Sequence, residues 1–315
     1  MCPLLLTACT VTVGASSLLP DLPEPAGDRP AAPPAAPAPS AGAGDQPVAA
    51  KEIAVDQASL FPALPDPDER RVAPPGGYVR EDRILTLPGL GDVHVARLSR
   101  PGNRATVIYS GGNASFIATS GERLNRLAEI TQADIVTFDY PGRGGTTIAN
   151  TPATLLGLGP ALVAALRREG WIAEGRLYAY GFSLGGAFAA NMARSGGFDG
   201  IILEATAPDI AAVVRNAVPP AMRPFIRVRI SDELKLYDYR GYVIEARAPV
   251  LVIAGEADKT VDAELSRRFA DDLAAQGLAV TFRQVPGGHG DGLDAESGRA
   301  AVQEFLAAAA VRADR

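Results

Sequence analysis

The chain has 315 residues, 47% of them hydrophobic and 21% charged, with 33 Gly, 26 Pro, 2 Cys and 2 His. So few cysteines and histidines exclude a disulfide-stapled scaffold, a Cys/His zinc site and a multi-histidine metal centre, and leave room for one histidine-dependent active site. The formal net charge is −6, and no Lys/Arg run stands on an aromatic-bearing surface pattern, which argues against a nucleic-acid partner.

The N-terminal residues Met1–Val13 read MCPLLLTACTVTV, and no apolar stretch of the sequence reaches the roughly 20 residues that span a bilayer as a helix. Within them Leu6-Thr7-Ala8-Cys9 resembles the lipobox of bacterial lipoproteins, in which the residues before the cysteine are removed and the cysteine is acylated. The resemblance implies a signal segment over residues 1–18, a lipid anchor on Cys9 and a place in the cell envelope; without the anchor the protein is secreted, periplasmic or cytoplasmic. The segment departs from the usual signal in having eight residues and no Lys or Arg ahead of the cysteine, as a start placed too far downstream would produce. Fifteen of the 26 prolines precede Tyr78, so residues 19–77 read as a Pro/Ala-rich linker without a packed core. Its first part extends as a polyproline-like tether of up to about 3.1 Å per residue. The folded body is expected over 78–315, with both cysteines ahead of it.

That body opens on a strand, turn, strand pattern: Arg83–Leu87, then Pro88-Gly89-Leu90-Gly91-Asp92, then Val93–Leu98, as in a hairpin. Short runs rich in β-branched residues follow at 105–109, 134–138, 177–182, 200–203, 249–254 and 279–285. Between them lie segments with helical apolar spacing at 121–130, 154–169, 184–195, 262–276 and 295–310. Such alternation predicts an α/β fold: a mostly parallel twisted sheet with helices on both faces and an antiparallel edge hairpin. Residues 209–248 break the alternation and are predicted to be a short helical cap. Active sites of such sheets lie beyond the C-terminal strand ends.

At one of those ends stands Gly181-Phe182-Ser183-Leu184-Gly185, with Gly186 and Ala187 heading a helix. A strand that turns sharply into a helix at a serine needs small neighbours and exposes the serine Oγ, and the helix N-terminus favours negative charge there. Serine needs a base. His289 follows the last strand in Val285-Pro286-Gly287-Gly288-His289-Gly290, whereas His94 sits on a hairpin strand facing away from Val93 and Val95 and is read as structural. The orienting acid is expected from the loop after 249–254, where Asp258 precedes His289 by 289 − 258 = 31 residues, room for a helix and a strand. Glu256 and Asp291 compete; Glu256 has to fold back, and Asp291 is read as a surface charge.

Ser183, Asp258 and His289, in that order on this alternation, resemble the α/β-hydrolase superfamily from about Tyr78 to the C-terminus. Tyr109-Ser110-Gly111-Gly112-Asn113-Ala114 stands where that family carries a His-Gly loop, with Gly111 in place of the histidine. Asp139-Tyr140-Pro141-Gly142-Arg143-Gly144-Gly145 looks like its Asp-x-x-Gly-x-Gly loop. The resemblance implies an oxyanion hole made by the backbone N–H groups of Asn113 and Leu184; the glycines at 111 and 112 equally suit a plain tight turn. A further likeness is to Bem-type and related serine hydrolases with a Gly-Asn-Ala oxyanion loop. It implies an acyl-enzyme mechanism on a small-molecule carboxylic ester of short or medium acyl chain, with no metal or organic cofactor. Amide, peptide or thioester hydrolysis on the same triad is the enzymatic alternative, and a non-catalytic ligand- or partner-binding homologue the alternative of another class. The cap carries Phe225, Ile226 and Val228 among Arg215, Arg223, Arg227 and Arg229, which suits either a cover for an acyl chain with an anionic end or a solvated amphipathic surface.

Overall fold

A computed structural model describes residues 51–313; the expected signal segment with Cys9 and the first part of the linker lie outside the described residues. The described chain opens with β1 (Lys51–Val55) and the single-turn helix α1 (Gln57–Leu60), then runs through the hairpin β2 (Val79–Leu87) and β3 (Gly91–Ser99). Next come β4 (Ala105–Ser110), α2 (Gly121–Thr131), β5 (Asp134–Phe138), α3 (Pro152–Arg168), β6 (Arg176–Phe182), α4 (Gly185–Ala193) and β7 (Gly200–Glu204). The insertion holds α5 (Ile210–Ala217), β8 (Ile226–Ile230) and α6 (Tyr239–Ala246). β9 (Val250–Gly255), α7 (Ala263–Ala275), β10 (Val280–Val285) and α8 (Glu296–Ala313) complete the order.

The main sheet has eight strands in the order β10-β9-β7-β6-β4-β5-β3-β2. All pairs from β10 to β5 are parallel, and β3 runs antiparallel to both β2 and β5. Strands β5, β7 and β9 are buried at every position, which is why they read as unbroken apolar runs: both of their faces are covered. One face packs on α3, α4, α6 and α7, the other on α2 and α8. Helix α3 starts where the local sequence says it should, with Pro152 at its first turn and Thr151 and Thr154 exchanging side-chain to backbone bonds. The architecture is that of an α/β-hydrolase fold, and the predicted strand and helix spans agree with it to within a few residues.

Two expectations are corrected. Residues 51–77 are not a free linker. Phe61 is buried among the rings of Tyr140, Phe188 and Tyr237, at centroid distances of 6.5, 6.0 and 5.9 Å. Arg70 N–H donates to Ala118 O (2.8 Å), Gly144 N–H to Asp66 Oδ1 (3.0 Å) and Asn125 Nδ2 to Ala73 O (2.7 Å). The prolines keep this strap extended; a few apolar anchors and paired backbone groups hold it down, and composition averages those anchors away. The cap, in turn, is not wholly helical. Ile226-Arg227-Val228-Arg229-Ile230 alternates as a strand should, and β8 pairs in parallel with β1, from Lys51 opposite Ile226 to Val55 opposite Ile230.

Candidate active site

Strand β6 turns into α4 at Ser183, whose φ of 53° lies in the left-handed region, a conformation that costs a non-glycine residue of order 1 kcal/mol or more. Bonds on either side hold it there: Ser183 N–H donates to Glu204 O (2.8 Å), and Gly186 N–H donates to Ser183 O (3.0 Å). The turn leaves no room for side chains on its flanks. A Cβ on Gly185 would lie 2.0 Å from Ser110 O, and one on Gly181 would lie 2.5 Å from the Gly186 Cα. The serine side chain therefore projects from a rigid, crowded corner at the head of a helix.

The loop after β10 brings His289 to it. His289 Nε2 lies 3.0 Å from Ser183 Oγ, and Nδ1 lies 2.8 Å from Asp258 Oδ2. The Asp258 side chain is fully enclosed, and its other oxygen accepts the N–H groups of Thr260 (2.8 Å) and Val261 (2.9 Å), so the carboxylate is held by three donors at the end of β9. With Nδ1–H given to Asp258, Nε2 is free to accept a proton from Ser183. Of the two competitors, Glu256 is exposed, and Asp291 accepts the Gly288 N–H (2.8 Å) from within the histidine loop. Asp291 is thus a loop staple and not the surface charge expected for it.

The loop after β4 passes beside the serine: a Cβ on Gly112 would lie 3.7 Å from Ser183 Cβ. Neither Asn113 N–H nor Leu184 N–H donates to another protein group among the described residues. The rest of Asn113 is tied down. Arg143 donates to its carbonyl and, at 3.3 Å, to its side-chain Oδ1, while Tyr140 OH donates to Gly111 O (2.5 Å). Arg143 is only 3% exposed, lies against the rings of Phe61 and Phe116, and makes no ion pair among the described residues. Burial lowers its guanidinium below the ordinary arginine value, with Tyr140 and Asp139 opposing the shift. Sequence inspection singled out the loop containing Arg143 but assigned the arginine no task.

Glu204 escaped notice altogether. It ends β7, is 1% exposed, and its carboxylate takes the Tyr180 OH (2.6 Å), the Gly292 N–H (3.0 Å) and the guanidinium of Arg123, whose other nitrogen donates to Gly290 O (2.8 Å). Burial alone would lower Arg123; the adjacent Glu204 carboxylate overrides this and holds it above the ordinary arginine value. The pair clamps the chain on the C-terminal side of His289. An acid closing the apolar run Gly-Ile-Ile-Leu-Glu was the available signal.

His94 makes no bond to this row. Its Nδ1 lies 2.8 Å from Asp139 Oδ2, and that bond, against some opposing burial, raises its pKa above the usual histidine value. It lines a cavity of about 590 Å³ with Arg80, Asp82 and Asp139, in which Arg80 meets Asp82 at 2.8 Å and Asp139 meets His94 itself. No group of three or more His, Cys, Asp or Glu able to hold a metal ion exists among the described residues.

Residues 161–309, which include Ser183, Asp258 and His289, match the profile of the Prolyl oligopeptidase family. An uncharacterised protein of Mycobacterium tuberculosis (strain ATCC 25618 / H37Rv) is 30% identical over 262 residues, covering 74% of this chain and 90% of that protein. Among solved structures, an esterase of Pyrococcus furiosus superposes with a TM-score of 0.59 at 16% identity, over 79% of this chain and 98% of the other. A carboxyl esterase of the fungus Tuber melanosporum does so at 0.56 and 14% identity, over 78% and 92%. A thermostable esterase of Pseudomonas putida gives 0.55 and 18%, over 75% and 83%.

Proposed function

The chain belongs to the α/β-hydrolase superfamily of serine hydrolases, and from that premise we propose that it cleaves carboxylic esters of short or medium acyl chain through an acyl-enzyme on Ser183. The observation that carries the proposal is the row Ser183 Oγ, His289 Nε2 (3.0 Å), His289 Nδ1, Asp258 Oδ2 (2.8 Å) on a strained strand-to-helix turn. His289 takes the Ser183 proton as Oγ attacks the ester carbonyl, and Asp258 fixes the imidazole tautomer and stabilises the imidazolium. The tetrahedral oxyanion meets the N–H groups of Asn113 and Leu184, the latter at the positive end of α4. His289 returns the proton to the leaving alcohol, then activates the water that releases the acid. Every proton in the cycle passes through His289, so the chemistry needs no metal or organic group.

Labelling by a fluorophosphonate tests the nucleophile: it is expected in the native protein and absent from Ser183→Ala and His289→Ala. Ser183→Ala should lose turnover by several orders of magnitude, near the 10⁶-fold typical of nucleophile deletion. Comparable ester turnover in that variant would refute the assignment. The match to the Prolyl oligopeptidase family favours a second reading, in which the same residues cleave an amide. Paired ester and amide substrates of one acyl group separate the two, and a higher kcat/KM on the amide would overturn the ester proposal. We propose in addition that Cys9 carries a lipid anchor in the cell envelope. Mass spectrometry of the N-terminal peptide from the native host should find acylated Cys9, and a retained, unmodified Met1 would refute it.

A further inference from the structure

The cap carries a surface at odds with the rest of the protein. Over residues 210–231 the sequence has four arginines (215, 223, 227, 229) and no acid, in a chain whose net charge is −6. The described residues 221–225 are all exposed, with Met222 at 46% and Phe225 at 50%, values reached by few other large apolar side chains among the described residues. On β8 the alternation turns Ile226, Val228 and Ile230 inward and leaves Arg227 and Arg229 exposed, the latter 3.5 Å from Glu52. Beside this face, α5, the residues before β8, β8 itself and α7 line an open groove of about 350 Å³. Its lining includes Arg215, Arg223 and Arg268 with Ile226, Val228 and Leu265 and holds no carboxylate, though Arg215 lies 4.0 Å from Asp209 and Arg268 3.4 Å from Glu264.

We propose that this face of the cap docks on an anionic lipid bilayer, with Phe225 and Met222 entering the headgroup layer and Arg227 and Arg229, on the outward side of β8, meeting lipid phosphates. An exposed aromatic side chain with arginines two positions before and after it, as Phe225 has in Arg223 and Arg227, combines apolar insertion with attraction to anionic lipid, as membrane-interface binding requires. The attraction is local: an acidic protein gains nothing from its total charge near such a membrane, and screening within about 8–10 Å confines the favourable contact to the basic face. Charge therefore orients the protein as well as holding it.

The path of the chain points the same way. Lys51 is the backbone partner of Ile226, so everything N-terminal to Lys51 joins the body immediately beside Phe225 and Arg227. A tether running from Cys9 would attach the domain at this end, 51 − 9 = 42 residues from the lipid. The docking does not require the anchor, nor does it rest on the ester reading. No helix among the described residues is long and apolar enough to cross a membrane, so the contact is interfacial.

Co-sedimentation of the full chain bearing Cys9→Ser, which removes any acylation, tests the face alone. The probes are phosphatidylcholine vesicles with and without phosphatidylglycerol. Binding is expected only with phosphatidylglycerol and is expected to weaken as salt rises. Arg227→Gln with Arg229→Gln should lower the partition coefficient about 25-fold, at roughly fivefold per arginine. Phe225→Ser should lower it about tenfold or more through lost apolar insertion. Unchanged near-ultraviolet circular dichroism shows that the variants remain folded. Absence of binding to the anionic vesicles, or binding that these variants leave intact, overturns the proposal. So does concentration-dependent self-association abolished by Phe225→Ser without vesicle binding, which would assign the face to a second copy of the chain.

Discussion

Substituting Arg143 by methionine removes both hydrogen bonds that hold Asn113 while keeping an unbranched apolar chain between the rings of Phe61 and Phe116. Deleting one oxyanion donor costs an enzyme about 10²–10³ in kcat, or roughly 2.7–4 kcal/mol. Arg143→Met leaves the Asn113 N–H in place but unanchored, so the lower end applies: kcat should fall about 100-fold, near 2.7 kcal/mol at about 1.36 kcal/mol per decade. KM should change little, because the donor acts on charge that develops only in the transition state. Stability should not follow activity. Arg143 is a buried cation without an ion-pair partner among the described residues, and exchanging such a charge for an apolar side chain of similar length removes its desolvation cost. Urea unfolding is therefore expected to give a free energy equal to or above that of the parent, within about 1 kcal/mol. Arg143→Lys keeps the charge without the planar fork and should recover only part of the rate. The assays are steady-state turnover of a soluble ester and the rate of fluorophosphonate labelling. A folded Arg143→Met protein with parental kcat, or with a raised KM alone, would show that Arg143 does not position the oxyanion loop.

Glu204→Gln leaves Arg123 enclosed without its counter-charge and should cost about 3–5 kcal/mol in urea unfolding, because breaking a buried pair is dearer than replacing it; a loss under about 1 kcal/mol would mean that the pair does not clamp the histidine loop. His94 has its pKa raised in the folded state by the Asp139 bond, so its contribution to stability is complete below about pH 6.5 and is lost as pH rises through the raised value. Melting temperature measured against pH should fall across that window in the parent and stay flatter in His94→Gln; parallel curves would refute the linkage. Phe61→Ala should cost about 3–5 kcal/mol, the range for truncating a buried aromatic, and a near-neutral effect would restore the strap to the status of a loose linker.

The hydrogen-bonded row of Ser183, His289 and Asp258 was legible because each of its residues is announced by its neighbours in sequence. A nucleophile on a strand-to-helix turn requires glycines within a few positions of it, and Gly181, Gly185 and Gly186 stand there. Asp258 and His289 sit in the loops that follow β9 and β10, so the order of strands and helices by itself places both beyond the C-terminal strand ends. The residues that hold the site in shape carry no such announcement. Arg143 meets Asn113 across 30 positions, and Arg123 meets Glu204 across 81. A buried charge is recognisable only through its partner, and the partner is chosen by how the strands pack.

Local sequence thus determined the strand and helix alternation, the corner at Ser183 and the identity of the row it heads, since propensity, apolar period and steric crowding act over a few residues. Tertiary structure alone decided that residues 51–77 become a strap, that β1 completes a two-stranded sheet with β8 about 175 positions away, and that Asp291 staples a loop. Proline content dictates an extended backbone but says nothing of whether a surface waits for Phe61 to bury itself against. That surface exists only once Tyr140, Phe188 and Tyr237 have been brought together by the fold.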